Sequence, residues 1–155
     1  MTTQGHWQAP EMEPGPAPGV AFASPGSRLV AYIVDVIVTI LVSIVLGIVG
    51  IALVFVLPIL SIIPFLAIFI VSFVYFPYYW QRSGQTPGMR MMNIKVVRDS
   101  DGGPLTWGSA ILRLIGYWVS GFVFYIGYIW IFIDKRKRGW HDLIAGTVVI
   151  ESPTA

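Results

Sequence analysis

The sequence predicts an all-α integral membrane protein, a small helical bundle of three hydrophobic segments. Hydrophobic residues make up 55% of its 155 residues and charged residues 12%, and the mean hydropathy is +0.73. Soluble domains average about 25% charged residues, so this chain carries too little charge to cover a water-soluble surface. Long uncharged runs supply the individual membrane segments.

The first 24 residues predict a disordered tail that precedes a transmembrane domain of residues 25–151, and residues 152–155 form a second short tail. Pro and Gly are frequent in residues 1–24, which contain no Lys or Arg. A secretory signal needs a basic region followed by an apolar one, and this segment has neither. We therefore expect the first helix to begin just after the tail.

A nearly uncharged run between Arg28 and Arg82 predicts two membrane helices, near residues 27–49 and 58–80. Its single charged residue is Asp35. One continuous helix would be about 80 Å long, whereas the hydrocarbon layer is about 30 Å thick. Glycines and prolines near the middle of the run predict the break, and a cluster of aromatic residues near its end is typical of a membrane interface.

Positive charge is concentrated in residues 82–113, which predicts that this loop is cytoplasmic. The loop holds five Arg or Lys residues and two Asp residues. Cytoplasmic loops carry the excess of positive residues, so two preceding crossings also place the N-terminus in the cytoplasm of a multi-pass protein of the plasma membrane. Within the loop, residues 94–97 alternate like a strand and are expected to pair with the β-branched residues 147–150.

Two arrangements remain open for the uncharged segment 114–133. Its length suits a third span. A third crossing would place the basic residues 135–138 outside and would separate the two strands. The alternative is a re-entrant segment, with residues 106–119 as an interfacial helix whose Arg113 reaches the headgroups, and with turns at glycines such as Gly121 and Gly127.

The charge pattern also indicates which partners to expect. The net charge of +2 gives no reason to expect a nucleic-acid partner. The basic run Lys135, Arg136, Lys137 and Arg138 is expected to contact anionic lipid headgroups. Cysteine is absent, which excludes disulfides, thiolate catalysis and cysteine-ligated metal sites.

Asp35 is the most informative residue, because a carboxylate at membrane depth costs about 2.5–3.5 kcal/mol on insertion scales and needs a partner. Arg28 lies seven residues earlier on the same helix face, with Tyr32 between them and Thr39 beyond. The sequence therefore predicts an Arg28–Asp35 pair. Asp35 is either a structural contact between helices or a carboxylate that binds a proton or cation on a transport path.

Catalytic and metal-binding patterns are absent from the sequence. His141 and Asp142 are adjacent but have neither zinc-ligand spacing nor a nucleophile beside them. We therefore expect no enzymatic activity, no bound metal and no cofactor.

Three patches of the chain resemble the RDD family of small bacterial membrane proteins, which is named for one arginine and two aspartates. Arg28 and Asp35 match the arginine and first aspartate, and Asp142 matches the second. The loop patch contains Gln85, Thr86, Gly88 and Arg90 but has Met89 where the family usually has a lysine. The resemblance implies that Asp142 joins the Arg28 and Asp35 site, which requires the C-terminal segment to fold back to the start of the first helix.

The resemblance implies little about activity, because the family's role is largely undefined, with ligand transport suggested and cation–proton exchange proposed for some members. We expect either a transport protein in which Asp35 is linked to an ion or proton, or a non-catalytic scaffold or accessory subunit in which Arg28, Asp35 and Asp142 are structural. Transport through so few segments would require a homo-oligomer to shield a polar path.

Overall fold

The computed structural model describes residues 19–152, and most of them are helical. Two α-helices are long and the others are short. The elements are α1 (Pro25–Val56), a 3-10 turn (Pro58–Ser61), α2 (Ile62–Arg82), α3 (Pro87–Met91), β1 (Ile94–Arg98), α4 (Trp107–Phe122), α5 (Ile126–Ile129), a second 3-10 turn (Trp130–Phe132), α6 (Trp140–Ala145) and β2 (Thr147–Glu151).

Two helical segments are each long and apolar enough to cross a membrane. They are Pro25–Val56, with 32 residues, and Pro58–Arg82, with 25 residues. The first helix continues beyond the predicted end at residue 49, because its glycines are accommodated in the helix. Gly50 is buried, and a Cβ there would lie 3.0 Å from the Phe65 ring. The break instead falls at Pro58, whose ring cannot continue the helix of the preceding residues.

The third hydrophobic segment is bent rather than continuous. Helix α4 and the stretch Ile126–Phe132 meet at an angle of 112°. Phe124 and Tyr125, between them, both have positive φ, at 48° and 61°. The segment 114–133 is therefore not one straight helix, and the turn lies between the two glycines expected to permit it.

A small antiparallel sheet joins the loop to the C-terminal segment, which confirms the predicted pairing. Val96 faces Val149 in the register of β1 and β2. Residues 21–23 line the other edge of β2, because the Ala23 N–H donates to the Val149 carbonyl at 3.0 Å. Ordered structure therefore begins before residue 25, whereas the predicted disorder of residues 1–18 lies outside the described residues.

The sheet requires both ends of the bent segment to lie on the same side of the membrane. Strands β1 and β2 share backbone hydrogen bonds, so both lie on the same side of any membrane that α1 and α2 cross. The chain between them must leave and return to that side, as the bend after α4 allows. The geometry thus agrees with the re-entrant alternative.

Part of the basic run is paired within the protein. Arg136 lies 2.5 Å from the Asp99 carboxylate, and Arg138 lies 3.1 Å from Asp99 and 3.0 Å from Asp134. Its hydrogen bond to Asp134 raises the pKa of Arg138 and lowers that of Asp134. These two arginines hold the turn before α6 against the end of β1, in addition to any contact with lipid.

Candidate functional site

Two buried carboxylates occupy a polar layer between the first half of α1 and the sheet. Asp35 is 1% exposed and Asp142 is fully buried. A carboxylate taken out of water must be compensated by hydrogen bonds or by cations. The two aspartates are compensated in different ways, and together they organise the site.

Asp35 is compensated by three neutral donors. The Tyr75 hydroxyl donates to it at 3.0 Å and the Gly88 backbone N–H at 2.9 Å. The Thr86 hydroxyl donates to its other oxygen. Asp35 thereby joins α1 to α2 and to the loop that follows α2.

The local sequence of α3 places these donors. Thr86 is the N-cap of α3, and its hydroxyl accepts a hydrogen bond from the Met89 N–H at 3.2 Å. Gly88 packs directly on α1, where an added Cβ would overlap the carbonyl oxygen of Ala31 and approach the Asp35 carboxyl carbon. Only glycine lets the backbone come this close, which explains the glycine in the loop patch.

The predicted Arg28–Asp35 pair is wrong. Arg28 donates instead to Asp142, with 2.8 Å between its Nη1 atom and Oδ2, and to the Val149 carbonyl at 3.3 Å. Seven residues of helix separate Arg28 and Asp35 by about 10 Å along the axis, whereas the C-terminal segment offers a carboxylate at the level of Arg28. The expected return of Asp142 to the start of the first helix is confirmed.

Asp142 is compensated mainly by two arginines. Its Oδ1 atom contacts Arg113 from α4, and its Oδ2 atom accepts from Arg28 and from the Gly139 N–H at 3.0 Å. Arg113 also donates to the Thr147 hydroxyl at 2.6 Å. Arg113 is only 2% exposed, so the expectation that it reaches the headgroups is wrong.

The two arginines control ionisation on α6. Burial alone would raise the pKa of Asp142, but the positive charges of Arg113 and Arg28 outweigh it and hold that pKa below its usual value. Burial, reinforced by the same arginines, lowers the pKa of His141 to about 3, against the opposing effect of Asp142. His141 is therefore neutral at physiological pH, and the contacting cluster of Arg28, Arg113 and Asp142 carries one excess positive charge.

Aromatic rings surround this cluster. The ring of His141 stacks on Tyr117 with 4.0 Å between centroids, and the Arg113 guanidinium lies 5.0 Å from the centre of the Trp80 ring. Gly116 allows this packing, because a Cβ there would lie 2.6 Å from the His141 Cα. Helix α6 therefore sits directly against α4.

A cavity of about 530 Å³ lies between α1, α2 and the bent segment. This volume is within the range of small-molecule pockets. Its polar lining comes from both aspartate networks. The lining includes Arg28, Tyr32, Asp35, Trp80, Thr86, Arg113, Tyr117, Tyr128 and His141.

The remaining predicted supporting residues occupy three different places. Tyr32 lines the cavity and stacks between Phe76 and Tyr117, with 6.0 Å to each ring. Thr39 donates back to helix carbonyls, and Gln85 donates to the Ile94 carbonyl at 3.0 Å. Arg90 is exposed and lies outside the cavity lining.

Two residues of the site were not predicted from the sequence, Tyr75 and Arg113. Tyr75 belongs to an aromatic cluster that suggested only a membrane interface. Arg113 follows a mostly apolar run and resembles a residue that ends a helix at the headgroups. The signal that could have identified Arg113 is the second carboxylate oxygen of Asp142, which can accept from one more arginine beside Arg28.

Comparisons with known proteins identify a family for the chain. The model of the RDD family matches residues 22–146, which include Arg28, Asp35, Arg113 and Asp142. A protein of Bacillus subtilis (strain 168), the uncharacterized protein YxaI, is 38% identical over 65 residues, which are 42% of this chain and 42% of that protein. The match thus spans less than half the length of that relative. No solved structure shows significant similarity to the chain.

Proposed function

The chain belongs to the RDD family, and we propose that it binds a small ligand in the cavity between α1, α2 and the bent segment, as the binding step of a transport function. One observation carries the proposal. Arg28 and Asp35, two of the three residues for which the family is named, both line this cavity, and Asp142 holds Arg28 in place.

In this proposal the aspartates hold the walls of the cavity together and do not themselves bind the transported ligand. Asp35 already accepts from Tyr75, Thr86 and Gly88, and Asp142 already contacts two guanidiniums. A carboxylate with its oxygens occupied would have to give up these bonds to hold an ion. In this proposal the aspartates have the structural role that the scaffold alternative gives them, and the ligand binds in the cavity beside them.

Cation or proton transport through Asp35 is the second candidate. The observation in its favour is that Asp35 is buried and borders the cavity, since intramembrane carboxylates often mark ion paths. It requires Tyr75 or Thr86 to release the carboxylate during the cycle. Replacing Asp35 by Asn would then abolish cation-dependent uptake in proteoliposomes, with Thr39→Ala as the matched control outside the cavity.

The proposed location is the plasma membrane, crossed by α1 and α2, with the N-terminus, sheet and polar layer on the cytoplasmic side. The positive charge of the loop supports this orientation. A homo-oligomer stays a prediction. A topology reporter fused after β2 would test the orientation, and an external reporter would contradict it.

Trp80 offers a direct test of ligand binding, because it lines the cavity and is 3% exposed. We would titrate the full chain in non-ionic detergent with three nitroxide-labelled amphiphiles that share one tail: stearate, its methyl ester and stearyl amine. The nitroxide quenches nearby tryptophan emission. The Trp80 contribution is the difference between wild type and Trp80→Phe, a variant that keeps an aromatic ring against Arg113.

We expect the Trp80 contribution to be quenched saturably by at least one of the three probes. Simple partitioning into detergent gives quenching that rises without saturation. Unsaturable quenching by all three probes would contradict ligand binding in the cavity. Preference for stearyl amine would favour the cation function of Asp35.

A further inference from the structure

We propose that the cavity takes an oxyanion attached to an apolar tail, with the oxyanion at Arg28 and Arg113 and the tail along the apolar rim. This inference rests on the proposed function, because it names the chemical class of the ligand that the cavity binds. Charge, unpartnered donors and the position of the rim each support it.

The cationic end of the cavity holds more positive than negative charge. Arg28 and Arg113 both contact Asp142, so two guanidiniums share one carboxylate. Their side chains are 9% and 2% exposed, and bulk water therefore does little to stabilise the excess charge. Asp35 lies about 10 Å away along α1, where neutral donors satisfy it. An oxyanion beside the guanidiniums would balance the excess.

Hydrogen-bond donors are also left over at this end. Among residues 19–152, the Nε atoms of Arg28 and Arg113 are buried without a hydrogen-bond partner. Buried polar groups normally have a partner, so these two N–H groups mark a place where a ligand would supply one. Both side chains line the cavity.

The rim of the cavity is apolar and exposed. Leu29 and Phe132 line the cavity with 59% and 72% of their surface exposed, and Ile129 lines it with 54% exposed. These side chains lie on membrane segments, so lipid tails cover them in a bilayer. A ligand can therefore reach the cavity laterally from the bilayer without leaving an apolar surface.

In the proposed orientation, the cationic end of the cavity lies near the cytoplasmic end of α1, on the side where the head groups of that leaflet lie. Arg28 lies in the first turn of α1, next to the sheet. Aromatic residues of the bent segment, Tyr125 and Tyr128, extend the cavity wall from there. A tailed oxyanion would thus keep the orientation that it has in the surrounding leaflet.

The probes described above test this inference separately from binding itself. Hydrogen bonds to a charged oxygen are stronger than those to a neutral one, so we expect stearate to reach half-saturation at an about tenfold lower concentration than its methyl ester. Saturable binding with equal half-saturation for stearate and ester would overturn the oxyanion site and leave the ligand-binding function standing. Loss of saturation for every probe would overturn both.

The variant Arg28→Gln provides a second test of the oxyanion site. It leaves Arg113 and Asp142 as a balanced pair and removes the excess charge. We expect stearate and its ester to reach half-saturation at similar concentrations in this variant. Arg82→Gln is the matched control, because Arg82 lies outside the cavity lining and undergoes the same charge change. A preference that survives in folded Arg28→Gln would overturn the proposal.

The source of the oxyanion is resolved by one further probe. Stearyl phosphate carries the same tail with the head group of a phospholipid. Tighter binding of stearyl phosphate than of stearate identifies a phospholipid or lipid phosphate as the ligand, and the reverse identifies a free fatty acid. Both results support an oxyanion site, whereas tighter binding of stearyl amine than of either contradicts it.

Discussion

The two buried aspartates of this protein are stabilised by different kinds of partner. Asp35 lies on a long membrane helix and accepts from two hydroxyls and one backbone N–H. Asp142 lies on a six-residue helix and is held between Arg28 and Arg113. Asp35 therefore joins segments through neutral donors, whereas Asp142 pairs with the positive charges of two other helices and neutralises one of them.

This difference predicts what is left behind when each carboxylate is removed. Without Asp35, the structure retains neutral donors that can rotate toward other acceptors. Without Asp142, it retains two buried guanidiniums that have lost the carboxylate they share. An unpaired buried charge is far more costly than an unpaired neutral group.

The largest effect is expected for Asp142→Asn. Breaking a buried ion pair by removing one partner costs about 3–5 kcal/mol. Asp35→Asn should cost about 1–3 kcal/mol, because the partners of Asp35 are neutral donors and no counterion is left unpaired. Thermal unfolding of both variants in one detergent measures the difference.

Arg113→Gln/Asp142→Asn provides the control for that ranking. If the cost of Asp142→Asn comes from uncompensated charge, the double variant loses less stability than the sum of its two single variants. Equal losses for Asp35→Asn and Asp142→Asn would show that the two carboxylates are not compensated differently.

The next effect is a pH dependence that arises from His141 beside Asp142. Its pKa is lowered to about 3 in the folded protein from the ordinary value of 6.5, so below pH 6.5 the unfolded chain binds a proton that the folded protein does not. Stability should then fall as pH falls, by about 1.4 kcal/mol per pH unit. The free energy of unfolding measured from pH 6.5 down to about 4.5, above the ordinary range of carboxyl groups, isolates this contribution.

His141→Phe should remove this slope while keeping a ring stacked on Tyr117. The other histidine of the chain, His6, supplies the control, since His6→Gln should leave the slope unchanged. The lowered pKa of Asp142 adds a further loss only at lower pH, as its carboxylate is protonated. A slope that persists in His141→Phe would assign the pH dependence to another group.

A smaller effect is expected where α3 meets Asp35. Gly88→Ala places a methyl group against the Ala31 carbonyl, and overpacking of this kind costs about 1–3 kcal/mol. Gly108→Ala is the matched control, because Gly108 lies in α4 with only the Thr106 hydroxyl within 4 Å, at 3.8 Å. Thermal unfolding should separate the two variants, and equal stability would show that α3 does not pack closely on α1.

The smallest effect concerns anionic lipid at the basic run. Arg136 and Arg138 already pair with Asp99, whereas Lys135 and Lys137 form no ion pair among residues 19–152. Lys135→Gln should weaken retention of anionic lipid by about 1 kcal/mol, and Arg138→Gln by less. Native mass spectrometry of protein released from mixed nanodiscs counts the retained lipids, and the opposite order would place the headgroups at the arginines.

Much of the fold follows from local composition. The two long uncharged runs predicted α1 and α2, and alternation predicted β1 with its partner β2. The extension of α1 to Val56 was missed, because helix propensity counts a glycine as a loss but does not register the ring of Phe65 packed on Gly50. The bend after α4 was left open, since sequence length alone cannot distinguish a span from a segment that returns.

The sequence predicted that Arg28, Asp35 and Asp142 belong to the site, but it predicted the wrong partner for Arg28. Helical periodicity placed Arg28 and Asp35 on one face, yet periodicity cannot rank a partner seven residues away against one 114 residues away. The contact with Asp142 came from the family resemblance. Arg113 was missed because its burial depends on α6, a tertiary contact with no local signal.

The long sequence separation within the cluster has a consequence for biosynthesis. Arg28 lies at the start of the first helix, but its counterion is translated 114 residues later. A nascent chain that has not yet reached residue 142 holds Arg28 and Arg113 without the carboxylate that they share. The polar layer is therefore complete only when the last short helix and β2 have been made.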